Sequence, residues 1–327
     1  MTSRAPLFVT GGAGYIGSHV CKALAARGLS PVTVDNLSRG HRAAVRWGPL
    51  EVVDLRDRDR LADVFARYRP RAVLHFAAFI DVGESVRNPA LYYDNNVGGT
   101  LSLLAAMRSS GCDRLVFSST AAVYGSPSMV PIDEGHSLAP INPYGWSKRI
   151  VEQVLSSYDA AYALRSVSLR YFNAAGADPG SETGESHDPE SHLIPRALDV
   201  ASGRSSALTV YGTDYDTPDG TCVRDYVHVV DLADAHLAAL DYLERGGATT
   251  ALNLGGGEGR SVLEVLSAVE HETGRTVHRE LRPRRAGDPP RLVADPTRAR
   301  EVLGWQPRRS DLPTILRDAW AWHQRGA

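Results

Sequence analysis

Leu7-Phe8-Val9-Thr10-Gly11-Gly12-Ala13-Gly14-Tyr15-Ile16-Gly17-Ser18-His19 decides the fold of this chain. Leu7–Thr10 reads as a short strand, and Gly17–Arg27 as a helix with small or apolar residues at Val20, Ala23 and Leu24. The turn between them satisfies both GxxGxxG and GxGxxG. Glycines allow the backbone to turn tightly and to approach a pyrophosphate, whose charge the amides and dipole of a helix N-terminus stabilise. Read alone, such a turn also fits a plain tight strand–helix connection. Its surroundings separate the two readings.

Working outward, Val32–Asp35 is a second strand candidate and Leu50–Asp54 a third. Asp35 lies 18 residues beyond Gly17, where a carboxylate is expected on an adenosine ribose diol. A carboxylate there repels a 2′-phosphate, which favours NAD over NADP, although Arg39 stands close by in sequence. Asp54 either caps an adenine pocket or is one more surface charge in the Asp54–Arg60 run. Arg60–Tyr68 is helical, and Ala72–Ala78 is a continuous apolar run suited to a strand buried on both faces. A helix over Tyr92–Ser109, a strand over Arg114–Ser119, a helix over Tyr144–Tyr162 and a strand over Ser166–Tyr171 follow. This alternation predicts an α/β fold with a doubly wound parallel sheet of Rossmann type and right-handed crossovers.

The pattern changes after Tyr171. Asn173–Glu190 is a long aperiodic loop, which inside a compact chain is usually functional. Val229–Leu243 reads as a helix returning to the first domain, and Gly255–Gly259 as a tight turn. The expected division is a nucleotide domain over residues 1–172 and a smaller C-terminal α/β lobe, mainly for substrate, over 173–327.

Tyr144-Gly145-Trp146-Ser147-Lys148 places a tyrosine and a lysine one turn apart on one helix face. A tyrosine with an ordinary pKa near 10 is a poor base at neutral pH; lowering it by about three units takes roughly 4 kcal/mol, which two nearby cations in a low-dielectric cleft can supply. Composition singles out this lysine. The chain has two, Lys22 and Lys148, and arginine supplies the remainder of its 36 Lys and Arg residues. Where a generic positive charge suffices, this sequence uses Arg, so Lys148 reads as a compact ammonium chosen for its site. Thr120 follows the Arg114–Ser119 strand, where ligands of doubly wound sheets sit, and can bond a reacting oxygen with Ser118 and Ser119 as helpers.

Bulk properties exclude other classes. The chain has 327 residues, 43% hydrophobic and 23% charged, with a formal net charge of -2. That balance suggests neither nucleic acid nor an anionic membrane as a partner. Cys21, Cys112 and Cys222 are odd in number, widely spaced and form no CxxC, so no disulfide framework or metal site is expected and a reducing cytoplasm fits. Arg4 is the one early charge before the first strand, which does not resemble a secretory leader. No apolar run reaches the length of a membrane span.

At this point the residues resemble UDP-glucose 4-epimerases of the extended short-chain dehydrogenase/reductase family, almost end to end. The resemblance is carried by Val9–His19, Asp35-Asn36-Leu37, His75–Ala78, Val82–Val86, Tyr92–Val97 and Phe117–Gly125. It continues through Asn142–Tyr144, Leu169–Asn173, Asp219-Gly220-Thr221-Cys222-Val223-Arg224-Asp225-Tyr226-Val227-His228-Val229, Asn253–Gly255 and Arg284-Arg285-Ala286-Gly287-Asp288. The Asp219–Val229 stretch is the most specific of these.

The resemblance implies interconversion of UDP-galactose and UDP-glucose with tightly held NAD. Tyr144 would take the 4′-hydroxyl proton while hydride leaves C4′; the 4-keto sugar turns over and hydride returns to its other face. Lys148 would lower the tyrosine pKa and bond the nicotinamide ribose, and Thr120 would bond the 4′-oxygen. The implied cofactor contacts are Gly11, Gly14, Tyr15, Ile16, Gly17, Asp35, Asn36, Asp54, Leu55, Phe76, Ala77, Ala78, Asn95, Ser118 and Tyr171, with Tyr144 and Lys148. The implied substrate contacts are Asn173, His192, Leu193, Tyr211, Arg224, Arg285, Asp288 and Leu292, with Thr120 and Tyr144. A homodimer through the Tyr92–Ser109 and Tyr144–Tyr162 helices is implied as well. The sequence departs from the family at Ile80, where many members have Lys, and at His192, where some have Asn. Leu292, of intermediate size, stands where room for an N-acetyl group is set. UDP-N-acetylglucosamine, UDP-xylose and UDP-glucuronate therefore stay open as alternative substrates. A dehydratase would need an acid and a base after Thr120, where this chain has Ala121-Ala122. A non-catalytic dinucleotide sensor would lack the Thr120, Tyr144 and Lys148 trio.

Overall fold

A computed structural model describes residues 5–285 and 288–326. Arg4, Ala286 and Gly287 lie outside the described residues. Strand β1 (Leu7–Thr10) leads through the Gly-rich turn into α1 (Tyr15–Ala26), then β2 (Pro31–Asp35) and β3 (Leu50–Val52). Helix α2 (Arg58–Tyr68) begins where the Asp57 carboxylate accepts a bond from the Arg60 amide at 3.2 Å. Strand β4 (Ala72–His75), helices α3 (Val82–Arg87) and α4 (Pro89–Tyr92), a π turn at Tyr93–Gly98 and helix α5 (Gly99–Ser110) follow. Strand β5 (Arg114–Thr120), helix α6 (Pro143–Tyr162) and strand β6 (Arg165–Tyr171) complete this half.

The second half runs β7 (Asn173–Ala175), α7 (Leu193–Ala201), β8 (Leu208–Tyr211), β9 (Val223–His228), α8 (Val229–Glu244) and β10 (Thr250–Leu254). It continues with β11 (Gly259–Ser261), α9 (Val262–Thr273), β12 (Arg279–Arg282), β13 (Arg291–Leu292), α10 (Thr297–Leu303) and α11 (Leu312–His323).

Seven strands form one parallel sheet in the order β3-β2-β1-β4-β5-β6-β10. The chain builds outward from β1 to β3 and then crosses back to β4. That reversal opens a crevice above the carboxyl ends of β1 and β4, the place where such sheets bind ligands. Alternation along β1 feeds both faces. Leu7 and Val9 pack with Val20 and Leu24 of α1 and Leu232 and Leu240 of α8, whereas Phe8 packs with Leu61 and Phe65 of α2, Leu103 of α5 and Val151 of α6. Each such side chain, once buried, contributes about 1.5–3 kcal/mol. In the smaller lobe β9 pairs with β7, β11 and β13, and α7, α9 and α11 bury a separate apolar cluster.

Several segments differ from the sequence reading. The apolar run from Ala72 leaves the sheet after His75, because the amides of Phe76 and Ala77 both turn to the Thr10 carbonyl (2.8 and 3.1 Å). Phe76–Ala78 thereby becomes a loop at the crevice. The predicted Tyr92–Ser109 helix widens into a π turn at Tyr93–Gly98. There the buried Asn96 side chain turns inward, donating to the Phe79 carbonyl and to Ser147 Oγ (both 3.0 Å). Such turns gather near functional sites. The third strand ends at Val52 rather than Asp54. Strand β10, which adds an edge to the main sheet, has no counterpart in the sequence reading; its five residues carry a pattern too short to register.

Candidate active site

A cavity of about 410 Å³ opens at the crevice, within the range of about 300–1,000 Å³ typical of ligand sites. Two glycines fix its floor. Gly11 has a φ of 73°, and a Cβ there would lie 2.6 Å from the Ala77 nitrogen. A Cβ on Gly17 would lie 2.3 Å from the Gly11 carbonyl oxygen, so α1 could not start so close to β1 with any other residue. Helix α1 takes Gly14 as its N-cap, receives no side-chain cap and has no acid in its first turn. Its first amides and its dipole are thus offered to a ligand anion rather than to the chain itself.

Asp35 ends β2 in the cavity wall. Its carboxylate accepts the Ala13 and Leu37 amides at 3.0 and 2.8 Å. Burial pushes its pKa up, and those two amides oppose the shift. Arg39, the residue that clouded the choice between NAD and NADP, lines the same cavity, paired with another lining residue. It forks onto Glu84 (3.0 and 3.2 Å) and lies over the Phe79 ring at 5.6 Å. Asp54 lines the same wall and accepts from Asn36 Nδ2 at 2.9 Å; Arg56 holds its carboxyl well below the usual range. A buried and a half-buried carboxylate, both hydrogen-bonded, beside an uncapped helix N-terminus suit a dinucleotide with free ribose hydroxyls, so the residues present fit NAD.

Across the cavity, the exit of β5 meets the start of α6. Asn142 caps α6 by accepting the Gly145 amide at 2.8 Å. A Cβ on Gly145 would lie 2.6 Å from the Ala122 carbonyl oxygen, so this glycine permits the approach. Lys148 is 3% exposed and donates to the Ser118 carbonyl at 2.8 Å; its Nζ lies 6.0 Å from the Tyr144 ring centre. The Ser118 and Tyr171 hydroxyls bond each other behind it. Burial raises the Tyr144 pKa to about 12, against a lowering bond from Thr120. Burial lowers Lys148 to about 7, with Glu152 pulling it back up. Glu152 lies one turn further along α6 and is held by Arg170 (2.9 and 2.7 Å) and Ser119 Oγ (2.6 Å), all three buried. That network joins β5, β6 and α6 directly beneath the trio.

The cavity gathers every cofactor residue expected from sequence, from Gly11 through Tyr171, together with Thr120, Asn173 and His192. The other expected substrate residues line the lobe beside it. Arg285 lies over the Tyr211 ring at 3.9 Å, and Arg224 donates to Asp288 at 2.6 Å. Leu292 is in register with Arg224 across the β13–β9 pair and packs on the cluster containing Phe172. Leu193 opens α7. Asn173 Nδ2 donates to the Asp225 carbonyl at 2.9 Å. Sequence reasoning passed over Glu185 and His187, which also line the cavity, and Glu190 beside them. The signal was present in the aperiodic loop, as the spacing Glu185-x-His187-x-x-Glu190-x-His192.

A parallel sheet with an uncapped glycine-rich helix start on one side of its crevice, and a buried tyrosine and lysine on the other, defines a dinucleotide-dependent enzyme of the short-chain dehydrogenase/reductase class. Comparison with known proteins narrows this. Residues 7–255 match the NAD dependent epimerase/dehydratase family. The chain is 58% identical over 319 residues to the UDP-glucose 4-epimerase of Rhizobium meliloti (strain 1021), covering 98% of this chain and 97% of that one. The structure superposes on that of Brucella ovis UDP-glucose 4-epimerase in complex with NAD, with a TM-score of 0.95, 54% identity, and 97% and 98% of the two chains covered. It superposes equally on the Stenotrophomonas maltophila UDP-glucose-4-epimerase with bound NAD and formylated UDP-arabinopyranose (TM-score 0.95, 42% identity, 99% and 100% covered). The chain belongs to the NAD dependent epimerase/dehydratase family, on its UDP-glucose 4-epimerase branch.

Proposed function

We infer that this protein is an isomerase that uses bound NAD to interconvert UDP-galactose and UDP-glucose at C4′. The observation that carries the reading is the meeting of Thr120, Tyr144 and Lys148 with the Gly11–Gly17 turn in one cavity, with Ala121 and Ala122, not carboxylates, following Thr120. A dehydratase needs acid and base groups at that point; an epimerase does not.

Bound along the cavity, NAD supplies a reversible two-electron acceptor for C4′. The chain's own residues hold and move the proton. Tyr144 Oη accepts the proton of the 4′-hydroxyl as the sugar is oxidised and returns it when the sugar is reduced on its other face, so net redox change is zero. Thr120, whose side chain opposes the rise in the Tyr144 pKa, holds the 4′-oxygen in line. Lys148 favours the phenolate by charge. The α1 N-terminus and Asp35 hold the dinucleotide. Arg224 and Arg285 suit a diphosphate through their forked donors, Tyr211 offers an aromatic face to the base, and Asn173, His192, Leu193, Asp288 and Leu292 complete the UDP-sugar side. Ile80 lines the cofactor cavity with an apolar, partly exposed side chain.

The same reading assigns nucleotide binding to residues 1–172, with α8 returning to pack on α1, and sugar-nucleotide binding mainly to 173–327. It includes a homodimer through α5 and α6, supported by the exposed Leu101, Trp146 and Tyr162, and residence in the cytoplasm. Among the described residues, no helix is long and apolar enough to cross a membrane.

The test is conversion of UDP-galactose to UDP-glucose by the purified protein without added NAD, followed by NMR. Conversion is expected. Its absence even after NAD is supplied, with another UDP-sugar epimerised instead, would transfer the assignment to that sugar.

A further inference from the structure

We propose that Glu185, His187, Glu190 and His192 form a binding site for one divalent transition-metal ion of the zinc class. The proposal shares one residue with the reading above, His192, which is also among the expected substrate contacts; the ion would engage its Nδ1. One ligand atom from each residue lies within 4.8 Å of all the others. His192 Nδ1 is 2.8 Å from Glu185 Oε1 and 2.8 Å from Glu190 Oε1. His187 Nδ1 is 3.2 Å from Glu185 Oε1 and 3.9 Å from Glu190 Oε2. A tetrahedral ion with bonds of about 2.0–2.2 Å holds its ligand atoms about 3.3–3.6 Å apart, so the contacts of 2.8 and 3.2 Å, hydrogen bonds within the loop, would lengthen slightly around it.

The donor set can hold an ion in place of protons. Glu185 Oε1 faces both imidazoles, and His192 Nδ1 faces both carboxylates. A proton on Nδ1 points well at one oxygen; a cation at the centre meets all four atoms. Two carboxylates and two neutral imidazoles match a divalent charge and the nitrogen–oxygen preference of zinc-class ions. The ion takes the place of any proton on either Nδ1.

Neighbouring contacts already orient the ligands. Glu190 Oε1 accepts the Ser191 and His192 amides at 2.7 and 2.8 Å. The Glu185 carbonyl accepts Trp322 Nε1 at 2.9 Å, and the Ser186 carbonyl is bonded by His41 at 2.6 Å. Supports of this kind are what a metal site needs beyond its ligands. Four protein ligands make a closed, structural site. An ion there ties the end of the loop to His192, the N-cap of α7, and fixes the wall that faces the Gly-rich helix through Tyr15 and His187.

The test is titration of chelator-treated holoenzyme with Zn²⁺ by calorimetry and with Co²⁺ by visible absorption. Saturable binding of one ion per chain is expected, with the intense d–d bands of tetrahedral Co²⁺ and a rise in thermal midpoint. In His187→Gln the affinity should fall at least about 100-fold and the tetrahedral bands should vanish; Glu190→Gln serves as a second variant, and circular dichroism and NAD content report whether either folds. Absence of stoichiometric binding in the unaltered protein, or equal binding in a folded variant, overturns the proposal and leaves the four residues as an ion-paired loop anchor.

Discussion

Replacing Lys148 by Met removes one charge from the interior while keeping an unbranched apolar chain in a space where the lysine is 3% exposed. Tyr144 sits at about 12 in this cavity, so forming the phenolate at pH 7 costs about 7 kcal/mol before any ligand contributes. Lys148 Nζ lies 6.0 Å from the ring centre. At an effective dielectric of about 20, a unit charge at that distance favours the phenolate by about 3 kcal/mol, or about two pKa units. The sign with pH follows from the lysine. Burial holds it at about 7, so the ammonium is present below that pH and is lost above it. Turnover of Lys148→Met, normalised to NAD content, should be about 100-fold below the unaltered enzyme at pH 6, and the ratio should shrink toward about tenfold or less by pH 9. The assay is kcat for UDP-galactose across this range, with released NAD quantified for each preparation. A ratio under about fivefold at pH 6, or one that grows with pH, would refute the charge argument and leave Lys148 as a cofactor anchor alone.

Tyr144→Phe should fold and retain NAD while losing about 10²–10⁴ in kcat, the usual worth of a positioned acid–base group; near-normal turnover would remove Tyr144 from the mechanism. Gly17→Ala forces a Cβ against the Gly11 carbonyl, so purified protein should carry little NAD and melt earlier, whereas full cofactor content would show that the turn can relax. Arg170→Met strands the buried Glu152 carboxylate, and chemical denaturation should show a loss of about 3–5 kcal/mol; a change under about 1 kcal/mol would mean that Glu152 protonates or finds water. Leu292→Ala should raise the activity ratio for N-acetylated over plain UDP-hexoses, and an unchanged ratio would show that this side chain does not gate the pocket.

The amino-acid sequence by itself determined the sheet type, the crevice and the chemistry of its two walls. These are local matters. Glycine spacing at Gly11–Gly17 dictates a turn, a tyrosine and a lysine four residues apart must share a helix face, and period and composition separate strands from helices. The choice of Lys148 in a chain that otherwise favours arginine was legible for the same reason.

What the tertiary structure alone decided depends on residues far apart in the chain. It carried Thr250–Leu254 to the edge of the first sheet. It turned Phe76–Ala78 out of a strand, through two bonds to Thr10. It gave Arg39 a partner in Glu84, 45 residues away, a neutralising carboxylate that spacing could not reveal. It also set Glu152, Arg170 and Ser119 into one buried network under the catalytic trio and folded the Asn173–Glu190 stretch so that two glutamates and two histidines converge. Burial, finally, moved Tyr144 and Lys148 in directions that no spacing reveals, because the cost of desolvating a charge depends on everything packed around it.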